Sequence, residues 1–475
     1  MDPKDLTEYT LEYAQRLGAS YAESRLISGE RTGFFVQNGN ILSGTRFNVC
    51  GIGIRVLVDG GLGFCSIDRI EKNLSEKAIS AAVKMARNSK RKVPIDFGEP
   101  IVNEAKWQVE VKKPIEDVST EEMMKFLTDL DKITETIDLP APIVSRVYIF
   151  GSSTQDYYLI TSEGTKISAT TSIIRPMMIM TAKGQGRTEQ RFLDFTRCTG
   201  WEGTEPLIEE FTDQVKRLAK TATAEKSMKG VVDLIVAPEV AGIIAHENCG
   251  HPSEGDRIMG REGAQAGESF WRDLKLGESR VGTGAVTICD DPTIPGSAGF
   301  YLYDDEGVKA RKRILIKEGI INEPLLNREF GQRFDLGTNG ASRAEDFNRE
   351  PIIRMANTYF DAGDYSFEEL VEDVKKGIYM ISFMEWNIDD RRFQSKYVGS
   401  ECYLIENGEV SETLVKRPIM ELTTIGLFSA TDAVSKNIRF DFSATCGKSD
   451  PGQGVPVFCG GPELRLRDIK LGGLD

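Results

Sequence analysis

The two histidines of this 475-residue chain lie in one stretch, His246-Glu247-Asn248-Cys249-Gly250-His251. Two imidazole ligands and a carboxylate beside the first are the parts of a zinc-assisted hydrolysis: nitrogen donors for the ion and a base, Glu247, for water. The usual His-Glu-x-x-His pattern works because residues i and i+4 lie about 40° apart around an α-helix. Here the separation is i, i+5, and a straight helix would turn the second ring about 140° from the first. Either the helix widens into a π-type turn, where i and i+5 realign, or it ends near Gly250 and His251 returns from the next turn. Pro252 disfavours an α conformation at His251, which points to the second alternative. Glu254 and Asp256 follow closely and suit the orientation of imidazole N–H groups.

Zinc needs a third protein ligand, and with no other histidine it must be Cys, Asp or Glu. Cys249 sits between the histidines and is expected to point away from an ion they share. Cys446 is the best candidate, because Ser443-Ala444-Thr445-Cys446-Gly447-Lys448-Ser449-Asp450-Pro451-Gly452-Gln453 is rich in turn formers and can bring a thiolate into a cleft.

These residues must be carried by defined elements. Val231–Ala237 reads as a strand, and Pro238 suits the first position of the helix that bears the histidines. Upstream, residues 3–17 read as a helix stopped by Gly18, and Asn38-Gly39 between apolar flanks marks a hairpin. Gly51–Gly61 reads as a buried strand running into a turn, and 72–88 as a helix with Ala78, Ile79, Ala82, Val83 and Met85 on or near one side. Residues 90–115 form a polar, proline-punctuated connection. Ser119 and Glu122 resemble a capping box that opens a helix to about Ile137. Strands are expected at Ile143–Tyr148, Tyr157–Thr161 and Thr171–Met180, and a helix at 206–224. Leu315–Ile321 and Tyr403–Val410 read as hairpins. The fold class is therefore α+β: N-terminal mixed helix and antiparallel-sheet modules at 1–90 and 115–226, then a larger sheet-rich domain at 230–475 carrying the metal helix.

Composition narrows the function classes. The formal charge is −14, and the short basic run Lys309-Ala310-Arg311-Lys312-Arg313 reads as one solvated strand, so nucleic acid is not expected as a ligand. No apolar run approaches the roughly twenty residues of a membrane span. Met1-Asp2-Pro3-Lys4-Asp5-Leu6 carries no signal-peptide pattern, and the eight cysteines are scattered, as expected for reduced thiols in a cytoplasm.

The motifs together resemble the TldD/PmbA family, whose members were once called modulators of DNA gyrase. The metal-binding TldD branch carries His-Glu-x-x-Gly-His and then Glu-Gly-Asp, found here as His246–His251 and Glu254-Gly255-Asp256. Tyr303-Asp304-Asp305-Glu306-Gly307, Arg354-Met355-Ala356-Asn357-Thr358-Tyr359, and Cys446-Gly447-Lys448 with Gln453 and Gly461-Pro462 are similar to its other elements. The resemblance implies a zinc metallopeptidase for unfolded or flexible peptides, with His246, His251 and Cys446 on the metal, and a dimer, as a heterodimer with a PmbA/TldE-type paralogue. Two segments depart from the pattern: the insert-like Ser449–Gly452, and Trp386-Asn387-Ile388-Asp389-Asp390-Arg391-Arg392. Two other functions compete: a peptide-binding scaffold with a structural zinc, its fourth position filled by Cys249 or Glu254, and a zinc amidohydrolase for modified small peptides.

Overall fold

A computed structural model describes residues 2–89, 91–184, 186–264 and 266–473. Met1, Lys90, Gln185, Gln265, Leu474 and Asp475, which the segments above include, lie outside the described residues.

The N-terminal half is built on one strongly extended sheet. Among the described residues it contains β1 (Tyr21–Gln37), β2 (Asn40–Val58), β3 (Gly61–Ile67), β4 (Glu104–Gln108), β5 (Ile143–Thr161), β6 (Lys166–Gly184) and β7 (Arg187–Asp194). The order is β3-β2-β1-β5-β6-β4, with β7 on the other stretch of β6. The expected hairpin joins β1 to β2, with Asn38 at φ 47° and Gly39 at φ 75°, as a tight primed turn requires. Because β1 pairs with β5 from Glu23↔Thr161 to Gln37↔Val147, the segments read as two modules share this sheet.

Helices cover one face. α1 (Pro3–Arg16) and α2 (Lys72–Asn88) pack on β1–β3, and α3 (Thr120–Thr136) and α4 (Leu207–Thr221) pack on β5–β6. Even-numbered positions such as Leu26, Phe34, Phe150 and Tyr158 supply that core. Odd-numbered Arg25, Arg31 and Tyr157 reach toward the C-terminal half instead, pairing with Asp305, Asp346 and Asp305. Three local expectations change. The two strands read at 143–148 and 157–161 are one strand, because the polar, small residues between them line an interdomain cavity and need no apolar alternation. Met85 is exposed, and Ala86 takes its place in the α2 core. Ser119 does cap α3, but Glu122 pairs with Lys113 instead of closing the box.

The C-terminal half is the sheet-rich domain. Its nine-stranded sheet runs Phe383–Ile388, Gln394–Gly399, Pro418–Thr423, Leu464–Gly473, β8 (Gly230–Val236), Lys376–Met380, Cys402–Glu406 and Glu409–Leu414, with Thr431–Val434 also on Leu464–Gly473. A six-stranded sheet runs Ile320–Ile321, Arg313–Lys317, Ile288–Asp290, Asn357–Phe360, Gln453–Gly461 and Arg439–Lys448, both strand counts being of the described residues. Both expected hairpins form, turning at Glu318-Gly319 and Asn407-Gly408 with positive φ. The basic run is not a solvated strand: Arg313 is fully buried, paired with Asp290 and bonded to Tyr301.

α5 (Pro238–Ala245) leaves β8 and is buried at every position, its one charge, Glu239, paired with Arg191, as a helix otherwise apolar all round must be. It packs on Gln453–Gly461 and Arg439–Lys448. Gly242 permits that approach, since a Cβ there would sit 2.5 Å from the Gly460 backbone nitrogen. This contact lays the histidine helix against the hairpin that carries Cys446. Among the described residues no helix is long and apolar enough to cross a membrane.

Candidate metal centre

The chain chooses the wider turn. Residues His246–Gly250 form a π-helical turn continuous with α5, and the His251 N–H donates to the His246 carbonyl at 3.0 Å. The rings consequently meet, with centroids 4.8 Å apart and planes at 80°. His251 stays in the α region, at φ −62° and ψ −44°, against the expectation drawn from Pro252. The Ser253 N–H to Cys249 carbonyl bond, 3.0 Å, and the Ser253 hydroxyl to Gly250 carbonyl bond, 2.7 Å, hold the turn against that bias. Gly250 is required by packing: a Cβ would stand 2.0 Å from Met355 Sδ. Asn248 anchors the turn from its other side, donating to Ser395 at 3.1 Å and Thr424 at 2.6 Å and accepting from Tyr397.

Cys446 arrives on the Arg439–Lys448 strand, its sulfur 3.5 Å from His251 Nε2. One ligand atom each from His246, His251 and Cys446 fall within 4.8 Å of one another, all buried. Tetrahedral zinc with bonds of about 2.0–2.3 Å sets its ligand atoms roughly 3.5 Å apart, so the three donors fit the ion with small adjustment. Two further observations agree. His246 Nδ1 is buried without a hydrogen-bond partner. His251 Nδ1 lies 3.1 Å from Glu254 Oε2, which commits that nitrogen and leaves Nε2 facing the thiol.

Charge in this cluster is arranged by neighbours. For Cys446, burial opposes ionisation, but His251, His246 and Arg354 outweigh it and hold the thiol well below its usual range. For His246, burial opposes charge, but Cys459 and Cys446 outweigh it and hold the ring well above its ordinary value. Glu254 is likewise opposed by burial, yet Lys448, Arg257 and His251 keep it ionised.

Lys448 joins the two halves of the site. Its Nζ sits 3.3 Å from Glu254 Oε1 and 2.7 Å from Asp256 Oδ2, and donates to the Ile353 carbonyl at 2.9 Å. Glu254 also takes Arg257 Nε at 2.6 Å. Thus Glu254 orients a histidine, whereas Asp256 contacts the lysine. Replacing Lys448 with Met should leave two buried carboxylates short of a cation and cost about 3–5 kcal/mol of stability, read as a lowered midpoint in chemical denaturation. A midpoint within experimental error of wild type would refute this role.

Glu247 is fully placed but occupied. Arg392 pairs with Oε2, and Trp386 Nε1 donates to Oε1 at 3.2 Å. Both partners come from the hairpin of Phe383–Ile388 and Gln394–Gly399, the segment that departs from the family pattern, and Arg392 holds φ 60° at its tip. The sequence signal was that departure itself. The other departure, Ser449–Gly452, is the turn joining the strands of the cysteine hairpin.

The remaining motif elements support the site. Arg354 donates to the Cys446 and Gln453 carbonyls, fixing the hairpin. In Tyr303–Gly307, Asp305 accepts from Tyr157 and Glu306 pairs with Arg55, so this element forms the seam between the halves. Cys249 is buried in the hydrophobic core, as expected of a cysteine that points away from the metal. Cys459, which sequence spacing does not single out, lies beside His246, and burial raises its thiol above the ordinary value.

A buried His-His-Cys triangle with a carboxylate in the same turn is the donor set of a metal-dependent hydrolase. The chain belongs to the PmbA/TldA metallopeptidase family: its C-terminal domain model matches residues 229–473 and its domain 1 model matches residues 22–89. The chain is 32% identical to a metalloprotease of Methanocaldococcus jannaschii over 94% of this chain and 95% of that protein. It is 28% identical to the zinc metalloprotease TldD homolog of Saccharolobus solfataricus over 98% and 99% of the two chains. The fold is similar to the crystal structure of TldE from Thermococcus kodakarensis, with a TM-score of 0.78 at 17% identity over 98% of this chain and 100% of that one.

Proposed function

We propose that the chain is a zinc-dependent peptidase for unfolded or flexible peptides, with His246, His251 and Cys446 as metal ligands and Glu247 as general base. The observation that carries this reading is the convergence of three buried donors beside a carboxylate set in the same π turn. Zinc, when bound, polarises a carbonyl and lowers the pKa of coordinated water toward about 7. The chain supplies the rest. Glu247 must exchange its bond to Arg392 or Trp386 for one to water, accept the proton at that oxygen, and return it to the leaving amine. The partner released then remains as a donor beside the same carboxylate.

Extended substrates are favoured by the sheet ends. Phe383–Ile388 ends the nine-stranded sheet and Arg439–Lys448 ends the six-stranded one. Their side chains meet through Phe383 and Phe442, with ring centroids 5.4 Å apart. An extended peptide can add to a free strand edge through its backbone alone, which suits a preference for unfolded chains over particular sequences. We assign the chain to the catalytic side of a heterodimer with a TldE-type paralogue.

The test is zinc content and cleavage of an unstructured peptide, with and without chelator and with and without the paralogue. Stoichiometric zinc without chelator-sensitive cleavage under either condition would overturn the reading. Cys459 is the observation a structural zinc would use, as a fourth ligand. Under the catalytic reading, Cys459→Ala keeps both zinc stoichiometry and activity; loss of zinc in that variant favours the closed site.

The charge arrangement gives a further expectation. The neighbouring thiols hold His246 well above its ordinary value against burial, so zinc is expected to compete with a proton for this ring. Calorimetry at pH 7 in buffers of differing ionisation enthalpy should report proton release on zinc binding, and affinity should weaken as pH falls. Proton uptake, or affinity unchanged between pH 7 and 6, would refute it.

A further inference from the structure

A cavity of 510 Å³ lies between the odd-numbered face of the N-terminal sheet and the C-terminal half. That size is within the range of ligand sites. Its walls mix aromatic and arginine side chains: Trp107, Phe300 and Tyr301 with Arg31, Arg175 and Arg343. The carboxylates in the wall are already served. Asp346 pairs with Arg31, Asp305 accepts from Tyr157 and the Ala344 N–H, and Glu345 accepts from the Gly454 N–H. Asp304 accepts three backbone N–H groups, from Glu306, Val308 and Ser342.

Two of the arginines have no such partner. Arg175 donates to Thr445 Oγ1 at 2.5 Å, and its Nε is buried with no hydrogen-bond partner. Arg343 donates to the Met355 and Pro456 carbonyls at 2.7 and 3.0 Å and lies over the Tyr301 ring. Among the described residues no carboxylate forms an ion pair with either, in a chain of net charge −14. Trp107 Nε1 is a second buried donor without an acceptor. A cavity whose unmet groups are donors and cations is built for an anion on an apolar body.

The location says which anion. Thr445, the acceptor of Arg175, directly precedes Cys446 on the free edge strand, and Gly454 and Pro456 of the partner strand line the cavity. Successive residues of a strand point to opposite faces, so Cys446 faces the histidines while Thr445 points to the side of Arg175. A peptide laid along that edge borders both faces.

We infer that the cavity binds the C-terminal carboxylate of an extended peptide, through Arg175 and Arg343, with Trp107 and Tyr301 against the last side chain. This rests on the peptidase reading for its ligand, not for its donors.

The test is calorimetric binding to the full zinc-loaded chain carrying Glu247→Gln, which prevents turnover. The probes are an N-acetylated unstructured hexapeptide as free acid and as C-terminal amide. The acid should bind at least about tenfold more tightly than the amide. Arg175→Gln should bring the two together, and Arg175→Lys should restore part of the difference, which a folding defect would not do. Equal binding of acid and amide overturns the inference. So does a tenfold preference unchanged in Arg175→Gln, or binding of N-acetylphenylalanine that the hexapeptide acid fails to displace. The two readings fail separately: wild-type cleavage with equal acid and amide binding removes only the carboxylate site, while an arginine-dependent preference without any cleavage removes only the peptidase.

Discussion

Glu247→Gln should reduce peptide cleavage by about 10²–10⁴-fold while zinc content stays stoichiometric. The substitution keeps size and hydrogen-bonding capacity, so Trp386 can still donate to the side-chain oxygen. It removes the ability to accept a proton. It also leaves the Arg392 guanidinium without its carboxylate, 9% exposed, so some loss of stability accompanies the loss of rate. Single-turnover kinetics separate the two effects, because a rate defect persists in the fraction that is folded and zinc-loaded. Activity within threefold of wild type, with zinc bound, would remove Glu247 from the chemistry.

Cys446→Ala should abolish stoichiometric zinc and, with it, activity. The sulfur contributes a third of the protein donor set and lies 3.5 Å from His251 Nε2. Loss of an outer-shell partner alone costs about 10–100-fold in metal affinity, and loss of a ligand should exceed that. The hairpin itself should survive. Its pairing with Gln453–Gly461 is backbone-mediated, and Arg354 holds the Cys446 carbonyl, not its side chain. Near-native melting with lost zinc is therefore the expected pattern, measured by metal analysis and calorimetric titration. Unchanged zinc affinity in the folded variant would falsify the ligand assignment.

How much of this was legible in the sequence differs by residue. His246, Glu247 and His251 could be read directly because the chain has no other histidines, and the i, i+5 spacing limited the backbone to two solutions. Pro252 favoured the wrong one, since a local preference of the proline yielded to hydrogen bonds made by Ser253 and His251. Cys446 was one choice among several thiols and carboxylates until its motif resembled a family element. Nothing local places a strand 195 residues downstream beside His251; that follows from α5 packing on the cysteine hairpin through Gly242. Arg392 and Trp386 were visible only as a departure from pattern, because their role depends on a hairpin folding over Glu247. The single long β5 is not legible for a different reason: alternation reports burial, and its middle faces a cavity.

The bridge made by Lys448 has a consequence for how metal is gained and lost. Histidine loop and cysteine hairpin are tied by its contacts to Glu254 and Asp256, which use none of the three ligand atoms. Metal uptake therefore need not organise the fold, unlike a zinc finger, whose apo form is unfolded. The protein is therefore expected to be emptied by a chelator and refilled without passing through an unfolded chain, which circular dichroism during chelation and zinc return would check.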